Sequence, residues 1–393
     1  DAAVRAYAAF VSNQVAACCL LTLAADAVAR IIEFGVRLAD DQGRLSTQFE
    51  LVADLVRESD YQARADGAAQ VSARHVEVAV AAQQRRVNLP EEELGRLIDD
   101  GTIEIDTQSR VVGQVNGLAV MDLGDYRFAR PTRISARVGV GGEGLVDIER
   151  EVALSGPSHS KGVLTLIGYL IGQYADRRPI SMSARLMFEQ VHSPIDGDSA
   201  SCAELCALLS ALAQLPINQG IAMTGAINQN GRVQAVGGVT EKIEGHFAVC
   251  RAAGLTGNQG VIIPRSNVRH LMLKPDVVDA VKSGQFNVWS VSHVDDAIQI
   301  LTGVPAGERQ RNGSFSSQTV HGRVARRLSV FARAVEKRTS VPSLLRRQAA
   351  SPPVATNPVG ARTRMQVPRP GAESIPSEPP TAAARSFIAA RPK

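Results

Sequence analysis

The chain has 393 residues, 45% hydrophobic and 21% charged, with a formal net charge of +4. That length suits roughly two or three domains with cores of their own, and no apolar run reaches the ~18 uncharged residues that a membrane-spanning helix needs. Five cysteines, at 18, 19, 202, 206 and 250, lack the spacing of a disulfide framework and indicate a reducing compartment.

Charge is unevenly placed. Residues 304–393 carry 16 Lys+Arg against 4 Asp+Glu, whereas the first 303 carry 27 against 35. A mildly acidic body is thus followed by a basic tail. The chain starts without an initiator Met or a basic leader, inside an amphipathic pattern, as a fragment of a longer protein would.

Residues 1–86 read as four helices. The first, 2–23, is rich in Ala, Val and Leu without Gly or Pro. Asp26 is placed to cap a second through about Leu38. Phe49, Val52, Leu55 and Val56 recur at helical spacing in a third, and Ser72 caps a fourth with Val76, Val80 and Val87 turned inward. From Gly101 the pattern changes. Residues 102–106, 110–115 and 133–140 alternate like strands, the last broken by Gly139, Gly141, Gly142 and Gly144. A helix is predicted at 161–174, a strand at 179–189 and a helix at 199–214. Residues 221–227 and 232–236 form a hairpin about Asn228-Gln229-Asn230-Gly231. A helix over 241–253 ends before Gly254, strands follow at 260–264 and 286–291, and a short helix closes at 294–302. The expected architecture is therefore a helical domain over 1–100, an α+β domain of mixed sheet and helices over 101–303, and a disordered tail over 304–393. That tail holds 11 of the 19 prolines, and only 322–337 is helical in pattern.

Two segments could carry chemistry. In Asp196-Gly197-Asp198-Ser199-Ala200-Ser201 an acidic turn runs into a helix that opens at a serine. Unpaired N–H groups at such a helix start favour an oxyanion near Ser199, and the same residues also suit a plain N-cap. In Gly237-Gly238-Val239-Thr240-Glu241-Lys242 a lysine appears where the body otherwise prefers arginine. Only Lys161, Lys242, Lys274 and Lys282 occur in the first 303 residues. A buried lysine can lose its proton and act as a base, which arginine cannot; an exposed lysine on a helix is the alternative. Lys161, near another helix start, competes for the role, and His192 or His246 would serve as base in a Ser-His hydrolase of small esters. His159, His270 and His293 are further histidines of this region, and none has metal-ligand spacing. No phosphate loop or Gly-x-Ser-x-Gly elbow is present.

Taken together, and in this order, Asp196-Gly197-Asp198-Ser199-Ala200-Ser201, Thr224-Gly225 and Gly237-Gly238-Val239-Thr240-Glu241-Lys242 resemble the peptidase domain of Lon proteases. The serine motif is of the LonB type, similar also to Lon-related putative ATP-dependent proteases. Ser160-Lys161-Gly162-Val163-Leu164, Pro216-Ile217-Asn218-Gln219-Gly220, Arg251-Ala252-Ala253-Gly254 and Val261-Ile262-Ile263-Pro264 extend the likeness over about 105–303.

The resemblance implies an α+β fold and a serine endopeptidase. Ser199 would be the nucleophile, Lys242 the general base, Thr224 the residue that positions the lysine, and Asp196 the acid just upstream. It implies homo-hexameric rings acting on unfolded or damaged proteins in the cytoplasm, without a membrane. Residues 1–86 look like the small helical lid of an AAA+ ATPase, and Arg37 lies where a sensor arginine would reach a nucleotide phosphate. ATP and Mg would then act in a full-length parent, since the phosphate loop is absent here. Ala226 departs from the A-type branch, which often has an acid there; Val191-His192-Ser193-Pro194-Ile195 and the basic tail match no family feature. A non-catalytic ring module that keeps the fold is the other implied reading. The tail's charge would also suit acidic partners or nucleic acid, although a solvated extension accounts for it.

Overall fold

The computed structural model describes residues 2–339 other than 125 and 177. Four helices form the N-terminal part: α1 (Ala2–Ala17), α2 (Ala25–Ala39), α3 (Phe49–Ala65) and α4 (Ala73–Arg85). Their apolar stripes meet in one cluster around Tyr7, Val11, Ile31, Val52, Leu55, Val56 and Val76. Asp26 does not cap its own helix from outside. One oxygen accepts from Ala27 N and the other from Ala73 N, so it ties α2 to the start of α4. Ser72 caps α4 in a capping box with His75, while Val87, expected inside, is exposed beyond the helix end. A fifth helix absent from the sequence reading, α5 (Leu89–Asp99), opens at Asn88 with Pro90 in its first turn.

The second part is built on a seven-stranded mixed sheet. Its strands are β2 (Gln114–Asp122), β3 (Arg127–Val140), β4 (Gly144–Asp147), β5 (Met182–Phe188), β7 (Ile221–Met223), β10 (Gly260–Pro264) and β11 (Asn287–Val291). They lie in the order β11-β10-β7-β2-β3-β5-β4. Pairs β11/β10, β10/β7 and β7/β2 are parallel; β2/β3 and β3/β5 are antiparallel. Two small ribbons flank it, β1 (Arg110–Val112) with β6 (Pro216–Asn218) and β8 (Ala226–Ile227) with β9 (Val233–Gln234). The alternation at 102–106 does not become a strand, and the 221–227 segment breaks at Thr224-Gly225 into β7 and β8.

Period-two alternation sends neighbouring side chains to opposite faces. Met223 and Ile262 point to one core and Ala222, Val261 and Ile263 to the other. The first core is filled by α8 (Ser201–Ala213), buried at every residue, which explains its lack of an amphipathic pattern. Around α8 lie α7 (Pro157–Tyr174), α11 (Val294–Thr302) and α12 (Val320–Thr339), and the short α6 (Ile148–Glu151) precedes α7. The other face carries α9 (Val239–Ala252) and α10 (Pro275–Lys282), with a 3-10 turn over Arg265–His270. Gly245 lets α9 lie against β3, since a Cβ there would meet Ala129 O at 1.9 Å.

The tail begins later than its composition predicts. Ala306, Val320, Val324, Leu328 and Phe331 are buried in the same core as α8. Buried His321 accepts or donates between Tyr174 Oη (2.5 Å) and Asp295 Oδ1 (2.9 Å), binding α12 to α7 and α11. Arginines at 323, 326, 327 and 333 give this segment its basic character, but its apolar face is enough to fold it onto the body. The expectation of disorder for 340–393 lies outside the described residues.

Candidate active site

Ser199 and Lys242 sit on opposite sides of the sheet and meet beyond the carboxyl end of β7. Ser199 is the last residue but one before α8, and Lys242 is in the first turn of α9. Thr224, immediately after β7, lies between them. Its backbone N–H donates to Ile262 O of β10 (3.1 Å), and the next N–H, of Gly225, donates to Ser199 O (2.8 Å). Cys202 N donates in turn to Gly225 O (3.1 Å), so the serine turn is stitched to the strand end.

The side chains follow from this frame. Lys242 Nζ is 3.2 Å from Ser199 Oγ and 3.0 Å from Thr224 Oγ1. The Thr224 hydroxyl donates to Ser199 O (3.2 Å), which leaves it to accept from the lysine. A neutral amine bonded in this way has its lone pair free to face the serine hydroxyl. Burial favours that neutral form. Lys242 is 2% exposed, and desolvation brings its pKa down to about 8, against the opposing pull of Glu241 and Asp198. Among the other candidate lysines, Lys161 is exposed on α7.

Asp196 is not bonded to the dyad. Its Oδ1 accepts from Ser158 N (2.9 Å) and His159 N (3.3 Å) at the start of α7. These N–H donors, with Gly197 N first among them, hold its carboxyl below the usual range. Asp196 therefore anchors the turn three residues before Ser199. Gly156 makes room for it, since a Cβ there would lie 2.5 Å from the Asp196 carboxyl.

The histidine alternatives are not wired to the serine. His246 is fully buried, with Nε2 at Gly220 O (3.0 Å) and Cys250 Sγ (3.3 Å), and burial pushes its pKa down to about 4. His192 is exposed. Among the described residues no hydrogen bond joins either one to Ser199. No group of His, Cys, Asp and Glu among the described residues is arranged to hold a metal ion. All five cysteines are free thiols, with Cys18 and Cys19 exposed. No described helix is long and apolar enough to cross a membrane.

Arg37 reaches from α2 to α9. Its guanidinium donates to both carboxylate oxygens of Glu244 (2.6 and 2.7 Å) and to Met272 O (2.7 Å). Sequence reading missed Glu244 and Glu204. Each left a signal: Glu204 is the one charged residue in the apolar run of α8, and Glu244 is an acid two residues past the lysine.

Residues 102–303 match the model of the Lon protease (S16) C-terminal proteolytic domain, and residues 22–86 match that of the archaeal LonB AAA+ ATPase LID domain. A putative Lon protease homolog of Escherichia coli K12 is 46% identical over 226 residues, 57% of this chain and 38% of the relative. The Haemophilus influenzae counterpart is 40% identical over 228 residues, 58% of this chain and 38% of the relative. An archaeal Lon protease of Archaeoglobus fulgidus is 29% identical over 283 residues, 70% of this chain and 41% of the relative. The chain thus spans about two fifths of the length of these relatives. The ordered motifs, the mixed sheet and the matched domains lead to one assignment: the chain belongs to the Lon protease (S16) family.

Proposed function

We propose that this chain is the peptidase part of a serine endopeptidase that hydrolyses peptide bonds in unfolded or damaged proteins through a Ser199–Lys242 dyad. The observation that carries the reading is the 3.2 Å approach of a buried Lys242 Nζ to Ser199 Oγ, with Thr224 on the amine's other side.

In the reaction, neutral Lys242 takes the proton from Ser199 Oγ as the oxygen attacks the peptide carbonyl. The oxyanion of the tetrahedral intermediate falls near the N–H groups that precede the first intrahelical bonds of α8. The Lys242 ammonium then returns the proton to the departing amine, leaving an acyl-enzyme on Ser199. Water attacks that ester with Lys242 again as base, and the acid product leaves. Thr224 keeps the amine turned toward the serine, and Asp196 holds the turn.

The lid-like helices suit a parent in which ATP and Mg drive substrate delivery to a homo-hexameric ring. A nucleotide site would have to lie outside this chain, which has no phosphate loop, and Arg37 would reach it only by leaving Glu244. The test is cleavage of an unfolded protein and a fluorogenic peptide by the chain and by folded Ser199→Ala and Lys242→Ala variants. Both variants should lose at least about a thousandfold in kcat. Equal rates in all three would overturn the dyad and favour a non-catalytic ring module.

A further inference from the structure

A buried polar cluster lies directly behind the nucleophile turn, and the dyad chemistry makes no use of it. His159, in the first turn of α7, is 1% exposed. Its Nε2–H donates to Glu204 Oε1 (3.0 Å), itself fully buried in the first turn of α8. Its Nδ1 lies 2.8 Å from Ser155 Oγ and 3.7 Å from Asp147 Oδ2. Glu149 completes the group, with Oε1 accepting from Phe188 N (2.8 Å), and the Phe188 ring meets the imidazole edge-on. The backbone N–H of His159 donates to Asp196 Oδ1 (3.3 Å). The strap before α7 adds two backbone bonds to the turn: Gly156 N donates to Ile195 O (2.7 Å), and Ile195 N to Leu154 O (2.8 Å).

We propose that His159 is a positioning residue for Ser199, holding the nucleophile turn from both sides: its backbone grips Asp196, three residues before the serine, and its ring grips Glu204, five residues after it. The proposal rests on the peptidase reading above. A buried carboxylate in α8 without a donor would be strongly destabilising, so Glu204 fixes how α8 sits against α7. Fixing two points that flank Ser199 fixes the direction of its hydroxyl. Burial opposes charge on the imidazole, but the Glu204 bond and the Asp147 and Glu149 carboxylates outweigh it and raise its pKa. The geometry thus offers the ring one partner on each nitrogen, Glu204 on Nε2 and Ser155 on Nδ1. Glu149, with its pKa pushed up to about 7 by burial and by Asp147, limits the negative charge in the cluster.

The test uses the full chain and two readouts, peptide cleavage and backbone hydrogen exchange over residues 195–201. His159→Ala should lower kcat at least about tenfold, because a misplaced nucleophile is punished steeply, while KM stays within about twofold. Exchange should quicken across the turn but not in β10 or β11. His159→Gln, which keeps a donor toward Glu204, should recover kcat to within about threefold of the parent. If His159→Ala does not fold, His159→Leu/Glu204→Leu removes both polar groups without leaving either unpaired and should show the same kcat loss. Unchanged kcat, or unchanged exchange at 195–201, overturns the proposal. Failure of the peptidase reading looks different: the parent would then cleave no faster than Ser199→Ala, and exchange alone would decide the clamp, upheld if faster and overturned if not.

Discussion

Arg37 and Glu244 form a two-pronged ion pair, Nη1–Oε1 2.6 Å and Nη2–Oε2 2.7 Å, that joins the helical lid to the helix carrying Lys242. Glu244 is 8% exposed and receives further support from Lys274 N (2.9 Å) and Lys274 Nζ (3.6 Å). Gln42 adds a bond to Leu271 O (2.8 Å), and Arg269 pairs with Asp41. Burial works against the charge on Arg37, yet the Glu244 carboxylate raises its pKa. Arg37→Ala should therefore cost about 2–3 kcal/mol, because Glu244 is left in a dry site with a weaker partner. Arg37→Lys should recover only part of this, since an ammonium cannot make the two-pronged contact. Urea unfolding of the three proteins checks the order; equal midpoints would refute it.

The proposed role of Lys242 as base predicts a pH dependence for cleavage. With its pKa lowered to about 8, the neutral fraction, and with it kcat, should rise nearly tenfold per pH unit up to about pH 7.5 and level off above 8.5. Lys242→Arg should be inactive throughout, because arginine stays protonated. A profile that is flat from pH 6 to 9 in the parent would sink the base assignment.

The same burial makes a prediction about stability. A lysine whose pKa is about 8 when folded and 10.5 in its ordinary state binds its proton more readily unfolded. The resulting penalty is full below pH 8 and fades as pH rises toward 10.5. Lys242→Met should thus be more stable than the parent at pH 7 by roughly 2 kcal/mol, after about 1 kcal/mol for the lost bond to Thr224. The gap should narrow by pH 10. Denaturant midpoints at the two pH values measure it, and a gap that does not move with pH would argue against the burial account.

Gly156→Ala tests the anchor on the upstream side of the serine. The new Cβ would lie 2.5 Å from Asp196 Cγ and Oδ1, so the carboxylate must leave the start of α7. The expected cost is about 1–3 kcal/mol in stability, with a kcat loss of about tenfold or more from the displaced turn. A crystal structure or cleavage assay showing an unmoved, fully active Ser199 turn would contradict this.

The attachment of α12 gives a further prediction. Burial works against the charge of Asp295, but bonds from His293 and His321 outweigh it and hold its pKa well below the usual carboxylate range. The stabilisation this supplies is present above about pH 4 and is lost as the carboxylate protonates at lower pH. Asp295→Asn should cost about 1–3 kcal/mol and expose the basic residues of α12 to trypsin. Cleavage rates at Arg323 and Arg326 that match the parent's would rule it out.

Helices α2, α3, α4, α9 and α11 were legible in the sequence because their apolar spacing or caps are local. Strands 102–106 and 221–227 misled because alternation alone does not supply a partner: Thr224-Gly225 must leave the ladder to pass under Ser199. The start of the tail departs from its composition for a similar reason. Proline and arginine content describes how a segment meets water, whereas Val320, Val324, Leu328 and Phe331 fold because α8 offers them an apolar surface.

The runs around Ser199, Thr224 and Lys242 and the family they resemble were legible in the sequence itself, because several short motifs stand in one order; on local chemistry alone Ser199 also suited an N-cap and Lys242 an exposed helix position. Only the tertiary structure decided which contacts those residues make. Ser199 and Lys242 are 43 positions apart and Arg37 and Glu244 are 207 apart. Their meeting depends on strand order, on α8 and α9 packing against opposite faces of one sheet, and on the end of β7 where the two faces join. The lowered pKa of Lys242 and the pairing of His159 with Glu204 have the same origin, because desolvation is a property of the packed interior and of no single segment.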